Sequence, residues 1–424
     1  MAIPKLALIP SGVKAGKLYS VLPTNGDGDF TTTRNTVATR VNENGLLEEV
    51  ASNVPRLDYS DGGCPSLLLE PERTNLFQRS EEFSNAYWST SRIETPYIAD
   101  VVSPDGTLNA YTFEISSGET NGGGVYAVNI SASGGSSISV FAKKKTANYL
   151  VLSDSGTTAN AVYFDLENGA IGTTYNATGE IEDFGNGWYR CTMKYTLTSS
   201  GLKFIYLSNV DGATNGGVQG GDSVYIYGAQ FEQGSFPTSY IPNYGTALGI
   251  TRAADTANGA GNASTFNDSE GVLMAEISAK DDGANKFITL SDGTDDNRVT
   301  IYFYTSINND IRFQVRSNNI NQPLTPMPSG YNIDEFNKIA IKYKQNDISV
   351  YINGFLVVSN VGNIDTPLNL SELAFDDGQG ASDFYGNTKQ LQYFDSALND
   401  SDLEKLTSWT SFTAMANAQS YTII

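Results

Sequence analysis

The 424-residue sequence contains no histidine and only two cysteines, Cys64 and Cys191. Without histidine the chain cannot build a serine–histidine–aspartate triad, a cysteine–histidine pair or a histidine-ligated zinc site. The two cysteines have no metal-ligand spacing and are too sparse for a disulfide scaffold, so we expect both to be free thiols. Carboxylate pairs of the kind used in glycoside hydrolysis remain compatible with this composition.

Basic residues are also scarce: 26 lysines and arginines accompany 47 aspartates and glutamates, which gives a formal net charge of −21. A surface this acidic repels phosphate backbones and anionic lipid headgroups, so we expect no nucleic-acid partner. No apolar run reaches about 18 residues, and residues 1–5 open no apolar signal region. We therefore expect neither membrane insertion nor a signal peptide.

Long helical patterns are nearly absent, whereas glycine is abundant at 41 residues and aromatic residues make up 11%. Short alternating apolar segments between glycine-rich turns are typical of all-β proteins. Residues 137–142, for example, place Ile138, Val140 and Ala142 on one face of a strand. The sequence predicts an all-β fold of two antiparallel β-sandwich domains, the first a jelly roll, with a turn-rich N-terminal segment and one short C-terminal helix.

Turn signals and composition divide the chain into five predicted parts. Their bounds are residues 1–75 for the N-terminal segment, 76–245 for the jelly-roll domain, 246–262 for a linker, 263–398 for the second sandwich and 399–424 for the C-terminal helix and tail. The N-terminal segment has too few apolar residues to bury a core of its own, so we expect it to pack on something else.

The N-terminal segment contains Lys-Leu-Tyr-Ser-Val-Leu-Pro at residues 17–23, Ala-Thr-Arg-Val-Asn at 38–42 and Val-Pro-Arg-Leu-Asp-Tyr at 54–59. It continues through Cys-Pro-Ser-Leu-Leu-Leu-Glu-Pro-Glu-Arg-Thr-Asn-Leu at residues 64–76. In this order the four stretches resemble the opening of many bacteriophage virion proteins. Together with the poor core, the resemblance implies that residues 1–75 attach the chain to a particle. The alternative is that the segment folds back and caps an edge strand of the first sandwich.

The next domain opens with Ser-Glu-Glu-Phe-Ser-Asn at residues 80–85, followed by Trp88. It closes with Gly-Ala-Gln-Phe-Glu at residues 228–232 and Ser-Tyr-Ile-Pro at 239–242. In both its beginning and its end it resembles the carbohydrate-binding-module-like jelly rolls of phage tail and head-fibre proteins. The resemblance implies a jelly roll of the kind that binds sugars, although a fold alone does not fix a ligand.

The second sandwich contains Lys-Ile-Ala-Ile at residues 338–341, Ser-Val-Tyr-Ile-Asn-Gly at 349–354 and Leu-Gln-Tyr-Phe-Asp-Ser-Ala-Leu at 391–398. These stretches are similar to those of laminin-G and concanavalin A-like domains. The resemblance implies a concanavalin A-like fold and is silent on the ligand.

Taken together, the resemblances imply a structural, non-enzymatic bacteriophage virion protein: a fibre, a spike or a capsid or tail decoration. We expect it to be assembled in the host cytoplasm into the virion, as a homo-oligomer that contacts other virion proteins and presents its sandwiches to host-surface glycans. One alternative is a purely structural component without glycan binding. Another is a glycan-degrading tailspike with a carboxylate pair, but such a protein would be expected to carry a parallel β-helix repeat, which the sequence lacks.

The candidate carbohydrate-binding residues are Tyr225 and Tyr227. Alternation places them on one face of a strand and Val224 and Ile226 on the other. Because aliphatic side chains favour the core, the two tyrosines are predicted to form an outward platform for pyranose rings. The alternative is that they pack on a neighbouring sheet or subunit.

The candidate metal ligands are Asp292, Asp295 and Asp296, which crowd one loop together with Asn297. Hard oxygen ligands at this spacing are suited to Ca²⁺, although the loop does not match the EF-hand pattern. The alternative is an ordinary solvated turn. No other cofactor is expected.

Overall fold

The computed structural model describes residues 2–99, 101–130, 132–155, 160–197, 200–213, 216–281, 283–304, 310–325 and 328–410. These residues form thirty-three short strands and one helix, and the strands pair antiparallel. The predicted all-β class, with antiparallel sandwiches and one short C-terminal helix, is confirmed. No helix among the described residues is long and apolar enough to cross a membrane.

The strands are numbered in chain order. Those that begin before residue 100 are β1 (Leu6–Leu8), β2 (Val13–Lys14), β3 (Lys17–Leu18), β4 (Phe30–Thr33), β5 (Ala38–Val41), β6 (Leu47–Val50), β7 (Arg56–Asp58), β8 (Ser66–Leu69), β9 (Arg73–Asn75), β10 (Ser89–Ser91) and β11 (Tyr97–Ile98). The next ten are β12 (Tyr111–Glu114), β13 (Gly123–Ile130), β14 (Gly134–Lys144), β15 (Tyr149–Asp154), β16 (Asn160–Asp165), β17 (Ala170–Tyr175), β18 (Thr178–Asp183), β19 (Trp188–Leu197), β20 (Gly201–Ser208) and β21 (Ser223–Gln233). The last twelve are β22 (Ile250–Arg252), β23 (Thr256–Asn258), β24 (Glu270–Ser278), β25 (Lys286–Ser291), β26 (Arg298–Tyr304), β27 (Asp310–Ser317), β28 (Ile320–Asn321), β29 (Asn337–Lys344), β30 (Asp347–Ile352), β31 (Phe355–Val361), β32 (Glu372–Ala374) and β33 (Gly386–Phe394).

The chain forms two compact units whose bounds differ from the predicted ones. Unit 1 consists of Met1–Val37, Val50–Pro71 and Ala253–Ile424, and unit 2 of Ala38–Glu49 and Glu72–Arg252. The prediction of a separate segment at residues 1–75 is therefore wrong. The segment does lack a core of its own, and its strands gain order by joining the sheets of the units. The predicted linker at residues 246–262 likewise contains β22 in unit 2 and β23 in unit 1.

Unit 2 is a sandwich of two six-stranded sheets. The front sheet has the order β10-β13-β20-β15-β16-β17, and the back sheet has the order β11-β12-β21-β14-β19-β18. Alternating side chains of both sheets fill the core between them. The fully buried ones include Leu150, Leu152, Ile205 and Leu207 from the front sheet and Ile138, Val140, Val224 and Ile226 from the back sheet.

Unit 1 is a sandwich of an eight-stranded and a five-stranded sheet. The larger sheet has the order β31-β30-β29-β24-β33-β8-β7, with β1 also paired to β33, and the smaller has the order β28-β27-β26-β25-β32. The core between them includes Leu273, Ile341 and Val350 from the larger sheet and Leu290 and Ile301 from the smaller. A four-stranded sheet, β2-β3-β4-β23, adds Leu18 and Phe30 to the same core.

A buried ionic cluster fixes the N-terminal residues of unit 1. Asp255 accepts from Arg34 Nη1 at 3.0 Å through Oδ1, and its Oδ2 is paired with Arg56. Arg56 also contacts Glu70 at 2.6 Å, and the Glu70 N–H donates to Asp255. Burial alone would lower the pKa of Arg56, but the charges of Asp255 and Glu70 raise it above its usual value. Removing one member would leave the others charged and buried, so the cluster resists separation of these segments.

The helix α1 spans Asp400–Thr407, as its sequence pattern predicts. The Asn399 side chain caps it by accepting from the Asp402 N–H at 2.9 Å. Leu403 and Leu406 pack on Val272 and Met274, on the face of the eight-stranded sheet that points away from the core. Residues 411–424 of the predicted tail lie outside the described residues.

Both cysteines are free thiols, as expected. Cys64 is exposed, whereas Cys191 is fully buried in the core of unit 2. Burial raises the pKa of the Cys191 thiol well above its usual value, so this side chain behaves as a small apolar residue.

Candidate functional site

The outward face of the front sheet is the most distinctive surface of unit 2, because five aromatic side chains lie on it. We call it the aromatic face, and it consists of Tyr126 on β13, Tyr163 on β16, Tyr175 on β17, and Phe204 and Tyr206 on β20. The residues between them in each strand, such as Ile205 and Val162, point into the core. The strict alternation of the strands therefore separates the aromatic face from the core.

Strand register brings these rings into two rows. Tyr126 lies opposite Phe204 in the β13–β20 pair, with ring centroids 5.3 Å apart, and Phe204 and Tyr206 are 4.9 Å apart. Tyr206 and Tyr163 flank Val151 on either side, so they line up across three strands. Tyr163 and Tyr175 meet edge to face at 6.4 Å. The rows span five strands, with Val151 of β15 between them. Tyr163 is only 5% exposed, whereas Tyr126, Phe204 and Tyr206 are half-buried.

A cleft of about 590 Å³ opens on this face. Its walls are formed by the rings of Tyr163, Tyr175 and Tyr206 together with Val151. Polar groups border the rings, and these are Ser153, Asp154, Asn160 and Ser208. An apolar lining with a few convergent polar groups is the usual constitution of a small-ligand site.

Local contacts hold the rim of the cleft in place. The Tyr175 hydroxyl donates to the carbonyl of Gly212 at 2.8 Å, and the Thr173 N–H donates to Asp211 Oδ1 at 2.7 Å. These bonds tie β17 to the loop that follows β20. Tyr175 nevertheless remains 44% exposed, so one face of its ring is available to solvent. At Gly124 a Cβ would come within 2.8 Å of the Tyr206 ring, so the glycine leaves room for that ring.

The cleft offers hydroxyl groups and carries little net charge. At its floor Asp154 forms a fully buried ion pair with Lys203 at 2.7 Å and accepts from the Tyr195 hydroxyl at 2.7 Å, so its charge is neutralised. Burial raises the pKa of Tyr163 and of Tyr206 above their usual values, which keeps both phenols protonated around neutral pH. The described lining of the cleft contains no lysine or arginine.

The predicted platform of Tyr225 and Tyr227 lies on the back sheet and is mostly covered. Both tyrosines point away from the buried Val224 and Ile226, as alternation predicts. However, Tyr227 is only 3% exposed and packs with Phe141 and Tyr240, at 6.0 and 5.9 Å between ring centroids. The prediction that the pair forms an open platform is therefore wrong for Tyr227, because neighbouring loops cover this face.

Tyr227 is also held by two carboxylates. Its hydroxyl lies 3.0 Å from Glu81 Oε1 and 3.1 Å from Asp105 Oδ2, and the Tyr240 hydroxyl donates to the same Glu81 oxygen at 3.0 Å. Tyr225 is half-buried, and the Lys145 ammonium lies 5.6 Å from its ring centroid. The covered face is a polar and aromatic cluster that joins the opening and closing motifs of the domain.

The motifs that carry the sequence resemblance are structural in unit 2. Asn75 donates through Nδ2 to the carbonyls of Ala229 and Ile241 and accepts from the Phe231 N–H through Oδ1. The Trp88 indole is buried, and its N–H donates to a backbone carbonyl at 2.8 Å. These residues hold the two ends of the domain together and do not line the cleft.

The three aspartates of the predicted calcium loop do not converge. Asp292 accepts from the Thr294 N–H and hydroxyl and from the Asn297 amide, which closes the turn. Asp295 instead pairs with Arg316 at 2.6 Å, and the backbone N–H of Asp296 donates to the Thr294 hydroxyl. No group of three or more carboxylate or thiolate side chains in the described part of the chain could share a metal ion. The metal prediction at Asp292, Asp295 and Asp296 is corrected to a hydrogen-bonded turn.

The sequence already contained a signal for the aromatic face. Phe204 and Tyr206 alternate with Ile205 and Leu207 in the same manner as the tyrosines of β21 alternate with aliphatic residues. The pattern identifies which side chains point outward from a strand. It does not tell which outward face another part of the chain covers.

Comparisons with known proteins give only partial likenesses. No family model and no curated protein matches the sequence. A sialidase CBM40 module from Ruminococcus gnavus bound to α2,3-sialyllactose is 16% identical, covering 35% of this chain and 88% of the module, with a TM-score of 0.30. Domain 4 of the arabinanase AbnA from Geobacillus stearothermophilus is 14% identical over 37% of this chain and 73% of that domain, with a TM-score of 0.29.

Domains LG4-5 of the mouse laminin α1 chain are 8% identical, covering 66% of this chain and 90% of theirs, with a TM-score of 0.24. Scores this low carry no argument about ligand or activity. The sandwich architecture of this chain follows from its own strand pairing.

Proposed function

We propose that this chain binds carbohydrate through the aromatic face of unit 2. The single observation that carries the proposal is the set of five outward aromatic rings beside a cleft bordered by hydroxyl and amide groups. Pyranose rings present apolar C–H faces and polar edges, which match rings for stacking and hydroxyls for hydrogen bonding. Carbohydrate is thus the ligand class that fits both the aromatic rings and the polar groups of the lining.

The charge of the site favours neutral sugars. Asp154 is neutralised by Lys203, Asp211 lies beside the rim, and the described lining has no basic side chain to pair with a carboxylate. The whole chain carries a net charge of −21, which repels anionic glycans at low ionic strength. We therefore expect neutral hexose-containing glycans to bind better than their carboxylated or sulfated counterparts.

Two substitutions on the aromatic face and one control on the back sheet test the proposal. Tyr175→Ala and Tyr206→Ala each remove a ring of the aromatic face, whereas Tyr225→Ala removes a half-buried ring from the other sheet. Glycans that bind the parent chain on an array are then titrated against the three variants by calorimetry. Because tyrosines in ligand contacts are often worth about 2 kcal/mol or more, we expect each aromatic-face variant to lose affinity by at least about tenfold. Tyr225→Ala should bind like the parent chain.

Two results would contradict the proposal. One is that the parent chain binds no glycan on an array of neutral and acidic sugars. This result would support the purely structural alternative. The other is a folded double variant, Tyr175→Ala with Tyr206→Ala, whose affinity equals that of the parent chain.

We propose in addition that the chain is not a hydrolase. The absence of histidine supports this. So does the pairing with Lys203 of Asp154, the one carboxylate in the described lining of the cleft. A glycosidase needs an acid and a base or nucleophile on either side of the scissile bond. Release of new reducing ends from a glycan that binds the chain would show the opposite.

We further propose a role in a bacteriophage particle, as a fibre, spike or decoration protein. The support is the sequence resemblance at residues 17–23, 38–42, 54–59 and 64–76. Deleting residues 1–75 is unsuited to testing attachment, because it would remove strands β1, β7 and β8 and the partners of Asp255. Because Ile3 and Ile9 are exposed, we expect charge substitutions there to leave the sandwich intact. If particles incorporate the double variant Ile3→Lys with Ile9→Lys as efficiently as the parent chain, this surface is not the attachment site.

A further inference from the structure

The outward face of the five-stranded sheet of unit 1 carries two arginines side by side. Arg298 on β26 lies directly opposite Arg316 on β27, and both point away from Val299 and Val315 in the core. Arg316 pairs with Asp295 at 2.6 Å. Burial lowers the pKa of Arg298 from its usual value, and the charge of Arg316 adds to this effect although Asp295 opposes it. Like charges placed directly opposite each other destabilise a sheet, so this pair has a cost.

Arg298 has no carboxylate partner in the described part of the chain. Its guanidinium donates to two neutral acceptors, through Nε to Gln314 Oε1 at 2.7 Å and through Nη1 to the Asp377 carbonyl at 2.7 Å. The Asp377 carboxylate accepts instead from the N–H groups of Gln379 and Ala381 in its own turn. No described acceptor is bound to Arg298 Nη2. A half-buried positive charge therefore lacks its counter-ion here.

The same face carries aromatic rings beyond the arginines. Tyr302 lies on the same side of β26 as Arg298, about 13 Å further along the strand. Its ring stacks on Phe287 of β25, with ring centroids 4.8 Å apart. Between the two ends lie Thr289 and Thr300, which face each other and whose buried hydroxyls have no hydrogen-bond partner among the described residues. The face thus has a cationic end, a polar middle and an aromatic end.

These groups together match one class of ligand. An arginine guanidinium binds a carboxylate through two parallel hydrogen bonds, and aromatic rings pack against the apolar C–H face of a sugar ring. The distance between the two ends exceeds the width of one pyranose ring, so an oligosaccharide is needed to contact both. A like-charge pair and unpaired buried hydroxyls reduce stability, and local costs of this kind are typical of functional sites.

We propose that this outward face of unit 1 binds a carboxylated oligosaccharide, with a carboxylate on Arg298 and Arg316 and a sugar ring against Tyr302 and Phe287. The site lies in a different unit from the aromatic face, whose preference for neutral glycans is a separate proposal. The net charge of −21 repels anions at long range, but at physiological ionic strength the Debye length is about 8 Å. Groups close to the ligand then decide the affinity.

The test uses the full chain and three ligands: a tetramer of hexuronic acid, its methyl ester and succinate. The ester keeps the sugar rings without the charge, and succinate keeps the charge without the rings. Arg298→Gln removes the unpaired charge. Lys405→Gln is the matched control, because it removes one positive charge from the exposed surface of α1, on the other side of the sandwich. Calorimetry at physiological ionic strength gives the affinities, and melting curves verify that each variant is folded.

We expect the parent chain and Lys405→Gln to bind the hexuronate tetramer equally, and Arg298→Gln to bind it at least about tenfold more weakly. The methyl ester should bind the parent chain and Arg298→Gln alike, and succinate should bind far more weakly than the tetramer. Amide exchange of residues 298–304 in the parent chain should slow with the tetramer but not with the ester. This last measurement tests the site even if Arg298→Gln does not fold.

Four outcomes overturn the proposal. They are a parent chain that does not bind the tetramer, unchanged amide exchange in residues 298–304, a folded Arg298→Gln that binds the tetramer like the parent chain, and succinate that binds as tightly as the tetramer. Loss of tetramer binding in Tyr206→Ala would also overturn it, because the ligand would then lie on the aromatic face. Failure of neutral glycans to bind unit 2 contradicts only the function proposed for that unit, so the two failures are distinguishable.

Discussion

The front and back sheets of unit 2 present tyrosines on their outward faces by the same alternation, yet the tyrosines of the two faces differ in solvent exposure. On the front sheet Tyr175 is 44% exposed and borders an open cleft. On the back sheet Tyr227 is 3% exposed and is enclosed by Phe141, Tyr240 and two carboxylates. A strand pattern therefore tells which side chains leave the core, but not which of them meet solvent.

The difference arises from residues far apart in the sequence. The back face is covered by segments that contain Glu81, Asp105 and Tyr240, at the beginning and end of the domain. Among the residues that the structure describes, the front face has no such cover over Tyr175 and Tyr206, and its rim is held by hydrogen bonds between β17 and the loop after β20. A covered aromatic face contributes stability, and an open one is available for a ligand.

The largest expected effect is on stability, and it separates the two faces directly. Tyr227→Ala should lower the free energy of unfolding by about 3–5 kcal/mol, because it leaves a cavity in a packed cluster. Tyr175→Ala should cost about 1 kcal/mol, since its ring is half in solvent and loses one hydrogen bond to Gly212. Urea unfolding of both variants measures the difference. Equal losses would show that the faces do not differ in the way described.

A smaller effect isolates the hydrogen bonds of the covered face. Tyr227→Phe keeps the ring but removes the bonds to Glu81 and Asp105. Because these carboxylates are buried or partly buried, we expect a loss of about 1.5–3 kcal/mol in unfolding free energy and no change in glycan affinity. The matched variant Tyr175→Phe should lose about 1 kcal/mol at most. An affinity change in Tyr227→Phe would mean that the covered face takes part in binding.

The smallest expected effect is a pH dependence that only the covered face shows. Burial raises the pKa of Glu81 above its ordinary value of 4.5, and the charges of Asp105 and Glu49 add to the shift. A carboxyl whose folded pKa is raised stabilises the fold below its unfolded pKa, and this contribution is lost as pH rises through the folded pKa. Glu81→Gln removes the titration, so the parent chain should lose stability relative to the variant as the pH rises above the ordinary carboxyl value of 4.5.

Two comparisons serve as controls for the pH dependence of Glu81, one on the covered face and one on the aromatic face. Asp105 titrates with the opposite sign: burial alone would raise its pKa, but hydrogen bonds from Ser103, Thr107 and Asn109 lower it. Its contribution is therefore lost as pH falls through its folded pKa, and it is common to the parent chain and the variant. Glycan affinity at the aromatic face should stay constant from acidic to neutral pH, because tyrosines ordinarily titrate near pH 10 and burial raises the pKa of Tyr163 and Tyr206 further. A parallel pH profile of Glu81→Gln and the parent chain would contradict the burial of Glu81.

Much of the fold could be predicted because it follows from local rules. The alternation of residues 137–142, the Asn44-Gly45 and Asn353-Gly354 turns and the Asn399 cap each predict an element that is present. Residues 1–75 could not be placed in the same way. The partners of Arg34 and Arg56 include Asp255, about 200 residues away, and nothing local to either arginine identifies that carboxylate.

The candidate sites show the same limit. The aspartates at residues 292–296 are close in sequence, but their carboxylates have separate partners in Thr294, Asn297 and Arg316. Closeness along the chain therefore does not make them a shared metal site. The sequence by itself determined the all-β class, the strands and the outward direction of each tyrosine, because the pleat has a period of two residues. Only the tertiary structure decided that the back face is covered and the front face is open, because cover is supplied by segments distant in the chain.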